Sequence, residues 1–263
     1  MLSYQHAYHA GNFADVVKHI TLCLICDYLT KKDKPLFYIE THSGRGKYDL
    51  RLPISQKTAE FKDGVGLIWQ NKSKIPEVFS PWLRVIEKYN HHELTYYPGS
   101  PLFALECLRQ QDRFQFCELH PGEFEILKQL NKQQRSVLFA FQDGMQALNA
   151  TLPPKEKRGL IFIDPSYELK QEYQTIPKII QQVYKKFPTG VYCLWYPILS
   201  NDAYLKLNKG MQKIDCLDKL HIEYFLGNDK KVGMHGCGIW ILNPPYILKT
   251  QIDEVVSTLK QFF

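Results

Sequence analysis

Four short apolar runs in this chain each end on residues that a bound ligand can use. Leu36 to Glu40 runs directly into Thr41-His42-Ser43-Gly44-Arg45-Gly46. Phe114 to Cys117 closes on Glu118, Val137 to Phe141 is followed by Asp143-Gly144, and Leu160 to Ile163 by Asp164-Pro165-Ser166-Tyr167-Glu168. Runs this short and this apolar read as strands covered on both faces. The stretches between them, 123–131, 145–152 and 172–186, carry helical patterns. Strands alternating with helices predict an α/β fold, an open and mostly parallel sheet with helices on both faces. Ligands in such folds lie beyond the carboxyl ends of the strands, where this chain places glycine, acid, acid and acid.

Val191 to Trp195, residues 218–226 and Gly238 to Leu242 complete a predicted seven-stranded sheet, with a helix near 201–213. Only a loop separates the last two strands, so one antiparallel strand is expected near one edge. Before the first strand, Val16, Ile20, Cys23, Leu24 and Tyr28 fall at helical spacing after Asn12 and Asp15. Residues 50–97 differ: Trp69, Ile75, Val78, Trp82, Leu83, Val85 and Ile86 suit helices and no strand stands out. We read 50–97 as a helical insertion and 1–49 with 98–263 as the main domain. Tyr97-Pro98-Gly99-Ser100-Pro101 forms a turn with proline placed to open a helix.

A charge of +6 is compatible with a polyanionic partner, but the basic residues are dispersed and do not establish one. The 7 cysteines include one CxxC, Cys23 to Cys26, inside an apolar helix and without a second pair at zinc spacing. Reduced thiols, no evident signal peptide and no apolar run of membrane-spanning length lead to the expectation of a cytoplasmic protein. Histidines 6, 9, 19 and 42 lack spacing that would bring carboxylate or thiolate company to a common face, and no metal is expected.

The acids suggest an adenosyl ligand. Glu118 is placed to accept hydrogen bonds from ribose hydroxyls, and Asp143 to meet an adenine amine. Gly44-x-Gly46 alone is a weak signal, since a tight strand-to-helix turn needs the same residues. Asp164-Pro165-Ser166-Tyr167 is sharper, because it resembles the (Asp/Asn/Ser)-Pro-Pro-aromatic tetrapeptide of amino-methyltransferases. An exocyclic adenine nitrogen is a poor nucleophile because its lone pair is delocalised into the ring. Asp164 and the Pro165 carbonyl can accept its two N–H bonds and localise that pair, while Tyr167 can stack on an extruded base. Asn243-Pro244-Pro245-Tyr246 fits the tetrapeptide better by letter but follows the last expected strand. We read it as the turn into the terminal helix.

Taken together, Leu2-Ser3-Tyr4, His9 to Asn12, Asp15 to His19, Thr41 to Gly46, Pro98 to Pro101, Glu118 to Pro121, Asp143-Gly144 and Asp164 to Glu168 resemble the RlmJ-type family. These are bacterial methyltransferases acting on N6 of an adenine in large-subunit (23S) ribosomal RNA. The resemblance implies a Rossmann-like class I fold and S-adenosylmethionine as methyl donor, with S-adenosylhomocysteine as product and no metal. It implies cofactor contacts from His19, His42, Ser100, Glu118, Asp143, Gly144 and Asp164. Asp164, with Pro165 and Tyr167, would form the catalytic group, and Tyr4 would meet the RNA. A monomer acting on ribosomal RNA before the subunit is fully assembled, with no membrane association, is the expected context. Ser166 stands where the family usually has a second proline, which puts loop rigidity, and so rate, in question.

Three other functions compete. A DNA adenine methyltransferase usually carries a separate recognition domain, and the insertion is short for that task. A protein glutamine methyltransferase is suggested by Asn243 to Tyr246. A non-catalytic RNA-binding protein on a degenerate cofactor fold is the third.

Overall fold

A computed structural model describes residues 5–130, 136–226 and 233–263. Tyr4, the expected RNA contact, lies outside the described residues.

The first strand organises the molecule. β1 (Phe37–Glu40) is buried along its whole length. It pairs in parallel with strands on either side, Arg113–Glu118 and Gly159–Ile163. In chain order we label the strands β1, β2 (Lys47–Asp49), β3 (Tyr96–Pro98), β4 (Arg113–Glu118), β5 (Ser136–Phe141), β6 (Gly159–Ile163), β7 (Val191–Leu199), β8 (Lys219–Phe225) and β9 (Met234–Leu242). Seven of them form one sheet in the order β5-β4-β1-β6-β7-β9-β8. β9 runs antiparallel between β7 and β8, the reversal that the short final connection predicts. The chain builds outward from β1 to β5 on one side, then crosses to β6 on the other. The junction of β1 and β6 is thus a topological switch point, where such sheets bind ligands.

Strand alternation sorts the core into two layers. Tyr38, Phe114, Phe116 and Phe162 pack on one face with Val16, Ile20 and Leu24 of α1 (Phe13–Thr30). Phe37, Ile39, Ile161 and Ile163 pack on the other with Ile176 and Ile180 of a helix at Glu172–Lys186. α1 is buried from Phe13 to Cys26 on every side. An all-round buried helix normally carries only apolar residues, so Asp15, Lys18 and His19 within that run mark something other than packing.

Only at its C-terminal edge does the insertion carry part of a strand, β3, where helices alone were expected. β2 and β3 pair as an antiparallel ribbon at its base, in the register Tyr48 to Tyr97. Three-residue strands are too short to display alternation, so the sequence pattern could not reveal them. Helices at Pro53–Thr58, Val65–Gln70 and Ser80–Tyr89 fill the loop between them, anchored by the fully buried Trp82.

One close approach fixes the site's geometry. The helix Gly144–Thr151 starts against the turn after β1, and a Cβ on Gly144 would lie 2.0 Å from the Thr41 carbonyl oxygen and 2.4 Å from its Cα. Both atoms are backbone and cannot yield by rotation. Gly144→Ala is therefore expected to cost about 3 kcal/mol, the upper range for overpacking. That corresponds to a melting temperature lower by roughly 6–12 °C, measurable by calorimetry. An unchanged melting temperature would mean that this helix can pivot away from β1.

Asn243 follows β9, and because β9 is antiparallel it emerges at the opposite end of the sheet from the other strand ends. Its amide donates to the Pro188 and Gly190 carbonyls, both at 2.7 Å, while Tyr246 is 83% exposed. The better-matching tetrapeptide is a structural turn remote from the cavity described next.

Candidate active site

A cavity of about 1020 Å³ opens at the carboxyl ends of β1, β4, β5 and β6. Its lining brings together nearly every residue picked out beforehand: His19, His42, Ser100, Glu118, Asp143, Gly144, Asp164 and Pro165.

The turn after β1 is held open by glycine. Gly44 and Gly46 have φ of 58° and 79°, left-handed backbone that residues with a Cβ enter only at a cost. The Gly44 amide then donates to Glu118 Oε2 at 2.7 Å, and the His120 amide donates to Oε1 at 2.7 Å. These backbone donors fix the carboxylate at the cavity wall. Burial pushes Glu118 above the ordinary carboxylate range, with those amides opposing the shift. Asp143 caps the helix at Gly144–Thr151, its Oδ1 accepting from Met145 and Gln146 at 2.8 and 3.1 Å. The cap fixes a carboxylate at the end of β5.

His42 shares a 2.8 Å hydrogen bond with the Thr41 hydroxyl, and burial lowers its pKa. His19, buried on α1, bonds the Tyr97 hydroxyl at 2.8 Å and is held well below its usual pKa by burial. Burial thus favours the neutral form of both imidazoles at the cavity wall.

Asp164 does not stand alone. Lys18 Nζ lies 2.7 Å from Asp164 Oδ2 and 2.9 Å from Asp15 Oδ1, and its ammonium sits 5.1 Å from the Trp195 ring centroid. Burial would lower the pKa of Lys18, but the two carboxylates outweigh burial and hold it above the usual lysine range. Asp15 in turn meets His6 at 2.8 Å and accepts from the Gly11 amide at 2.8 Å. Burial opposes the Asp15 charge, yet His6 and Lys18 hold its carboxyl well below normal. Sequence reasoning assigned no site role to Lys18 and Asp15. The signal was there: an Asp and a Lys three apart within an apolar helical run.

Tyr167 is the exception among the expected residues. It does not line the cavity: it is only 7% exposed, its ring centroid is 4.6 Å from that of Tyr173, and its hydroxyl donates to the Trp195 carbonyl. The left-handed φ of 55° at Tyr167 turns the side chain inward. In this conformation it packs the loop from behind, and Ser166, Glu168 and Trp195 face the cavity instead. The expectation that Tyr167 is available to stack on a base is not met by this arrangement.

Among the described residues, no cluster of His, Cys, Asp and Glu is arranged to hold a metal ion, and no helix is long and apolar enough to cross a membrane. The lining fits an adenosyl cofactor: acids fixed by backbone donors at successive strand ends, beside a glycine turn with left-handed backbone.

The family described as ribosomal RNA large subunit methyltransferase D, RlmJ, matches residues 33–263. The ribosomal RNA large subunit methyltransferase J of Haemophilus influenzae is 43% identical over 98% of this chain and 93% of its own length. The protein of the same name from Escherichia coli is 39% identical over the same shares. The crystal structure of protein LPL1258 from Legionella pneumophila superposes with a TM-score of 0.93 at 48% identity, covering 97% of this chain and 94% of that one. With a family match over most of its length and relatives aligned nearly end to end, the chain belongs to the RlmJ family of large-subunit ribosomal RNA methyltransferases.

Proposed function

We propose that this protein transfers a methyl group from S-adenosylmethionine to the exocyclic N6 of an adenine in 23S ribosomal RNA. The observation that carries the reading is the convergence of Glu118, Asp143, Asp164 and Pro165 on one cavity. Its volume of about 1020 Å³ slightly exceeds the ~300–1,000 Å³ usual for ligand pockets, which leaves room for an extruded nucleotide beside a cofactor. When bound, S-adenosylmethionine supplies an electrophilic methyl group on a sulfonium.

The residues of the chain do the rest. Glu118 holds the ribose and Asp143 the adenine amine, with His19, His42, Ser100 and Gly144 completing the cofactor wall. Asp164 and the Pro165 carbonyl accept the two N–H bonds of the target amine and localise its lone pair. Lys18 keeps a fixed cation against Asp164 and so orients the carboxylate. With this reading go finer proposals: Tyr4 contacts the RNA, and the enzyme acts as a cytoplasmic monomer on ribosomal RNA before the subunit is complete.

The test is methyl transfer from labelled cofactor to total RNA, with naked DNA in parallel, followed by nucleoside mass analysis. N6-methyladenosine from large-subunit RNA is expected. Another methylated nucleoside, or preferential labelling of DNA, would overturn the reading. Glu118→Ala is expected to weaken S-adenosylhomocysteine binding by roughly 1.5–3 kcal/mol, the range for hydrogen bonds to a charged group. Titration calorimetry on the folded variant checks this, and an unchanged affinity would remove Glu118 from the ribose.

A further inference from the structure

Glu40 ends β1, is fully buried, and is not part of the cavity lining. Two hydroxyl groups bond its carboxyl. Ser100 bonds Oε1, and Tyr38 donates to Oε2 at 3.0 Å. The two hydroxyls differ in where else they can turn. Tyr38 is 0% exposed and has no other hydrogen-bond partner among the described residues, whereas Ser100 lines the cavity.

This inference rests on the reading of the cavity as the cofactor site. We propose that Glu40 is a positioning residue whose proton sets the polarity of the Ser100 hydroxyl, so that a neutral Glu40 makes Ser100 a donor to the cofactor's carboxylate. If a neutral Glu40 carried its proton on Oε2, toward Tyr38, the phenolic hydrogen would be left buried and unpaired, a costly arrangement. The proton therefore sits on Oε1, Ser100 accepts it, and the serine hydrogen is released toward the cavity. When Glu40 is ionised, Ser100 must donate to it. The cavity then meets a serine lone pair with a carboxylate behind it, and both repel an anion.

The groups facing Glu40 define the balance. Tyr38 and Ser100 bond it directly, Lys18 of α1 lowers its pKa, and the Asp164 charge raises it, with Cys117 of β4 also nearby. Burial dominates and pushes Glu40 up to about 8 despite the hydroxyl bonds, so the neutral form prevails at pH 7. Glu118 and Asp143 lie at the ends of β4 and β5 and take the adenosyl end. Ser100, which lines the cavity and is bonded to Glu40 at the end of β1, is left to the amino-acid tail.

The sign follows from linkage. An anion bound at Ser100 favours protonated Glu40, so affinity is full below the titration midpoint and falls above it. For a midpoint near 8, S-adenosylhomocysteine affinity is expected to drop about tenfold between pH 7 and pH 9 through this group alone. The amine of the ligand titrates equally with wild type and Glu40→Gln, so the difference between their pH profiles isolates Glu40. The measurements are calorimetric affinities of both proteins for S-adenosylhomocysteine and for 5′-methylthioadenosine, which lacks the tail. A steeper wild-type profile for the former only is expected. Equal slopes for S-adenosylhomocysteine, or the same difference with methylthioadenosine, would overturn the proposal. Should Glu40→Gln not fold, Ser100→Ala is used instead, with the same flattening expected and an unflattened profile overturning the proposal. In parallel, the ¹³C-labelled carboxyl of Glu40 should titrate near pH 8 in the free protein, and at higher pH with S-adenosylhomocysteine bound. A midpoint that the ligand leaves unmoved would also overturn it. Failure of both ligands to bind wild type would instead count against the cofactor site itself.

Discussion

Replacing Asp164 with alanine is expected to reduce turnover to near background while RNA affinity changes far less. Its proposed task, accepting an N–H of the target amine, matters most as nucleophilicity develops, so the loss falls on the transition state and not on ground-state binding. Single-turnover rates and filter-binding affinities on the same preparation separate the two. Asn243→Ala is the matched control. Asn243 ties the end of β9 to Pro188 and Gly190 at the far end of the sheet, so its loss is expected to lower stability without changing the rate per folded molecule. The reverse pattern, with activity lost at Asn243 and kept at Asp164, would mean that the catalytic loop has been misplaced.

The two tetrapeptides show what a sequence can and cannot disclose. By letter Asn243 to Tyr246 is the better match, and only counting strands favours Asp164. The count works because βαβ units leave a strong trace: apolar runs such as Leu160 to Ile163 are buried on both faces and helices follow at regular intervals. The β7-β9-β8 reversal was legible for a similar reason, as two strands with no helix between them. Glu118 and Asp143 could be placed because they close their strands, and position along a parallel strand decides which end of the sheet a residue occupies.

What escaped depended on contacts made far along the chain. The β2–β3 ribbon joins residues on either side of the insertion through strands of three residues, too short for periodicity. Tyr167 sits in a motif whose aromatic residue was expected to face the ligand. Its backbone turns left-handed and the ring packs on Tyr173, which depends on a helix that begins five residues later, at Glu172. Glu40 read only as the last residue of a short buried strand. Its importance arises only when α5 (Ser100–Cys107) brings Ser100 against it. Lys18 and Asp15 were visible as charges on an apolar helix, but their partners Asp164 and His6 are supplied by the fold.

Lys18 carries the largest expected effect on stability. Its side chain is 4% exposed, Asp15 is 2% and Asp164 14%, so water screens little of the interaction. Lys18→Met keeps the length and apolar stem of the side chain and removes only the cation, leaving two carboxylates facing each other in a buried site. Breaking a buried ion pair by deleting one partner costs about 3–5 kcal/mol, because the remaining charge has lost its compensation. His6 and the Gly11 amide still serve Asp15, which argues for the lower half of that range, and denaturant unfolding measures it. The double variant Lys18→Met with Asp15→Asn is the sharper experiment. If the cost is uncompensated charge, removing the second charge should recover part of the lost stability, whereas a packing defect would make the double variant worse than the single one. Methyl transfer should stay low in both, since Asp164 has lost the ammonium that orients it. Recovery of activity together with stability would show that Lys18 serves the fold alone.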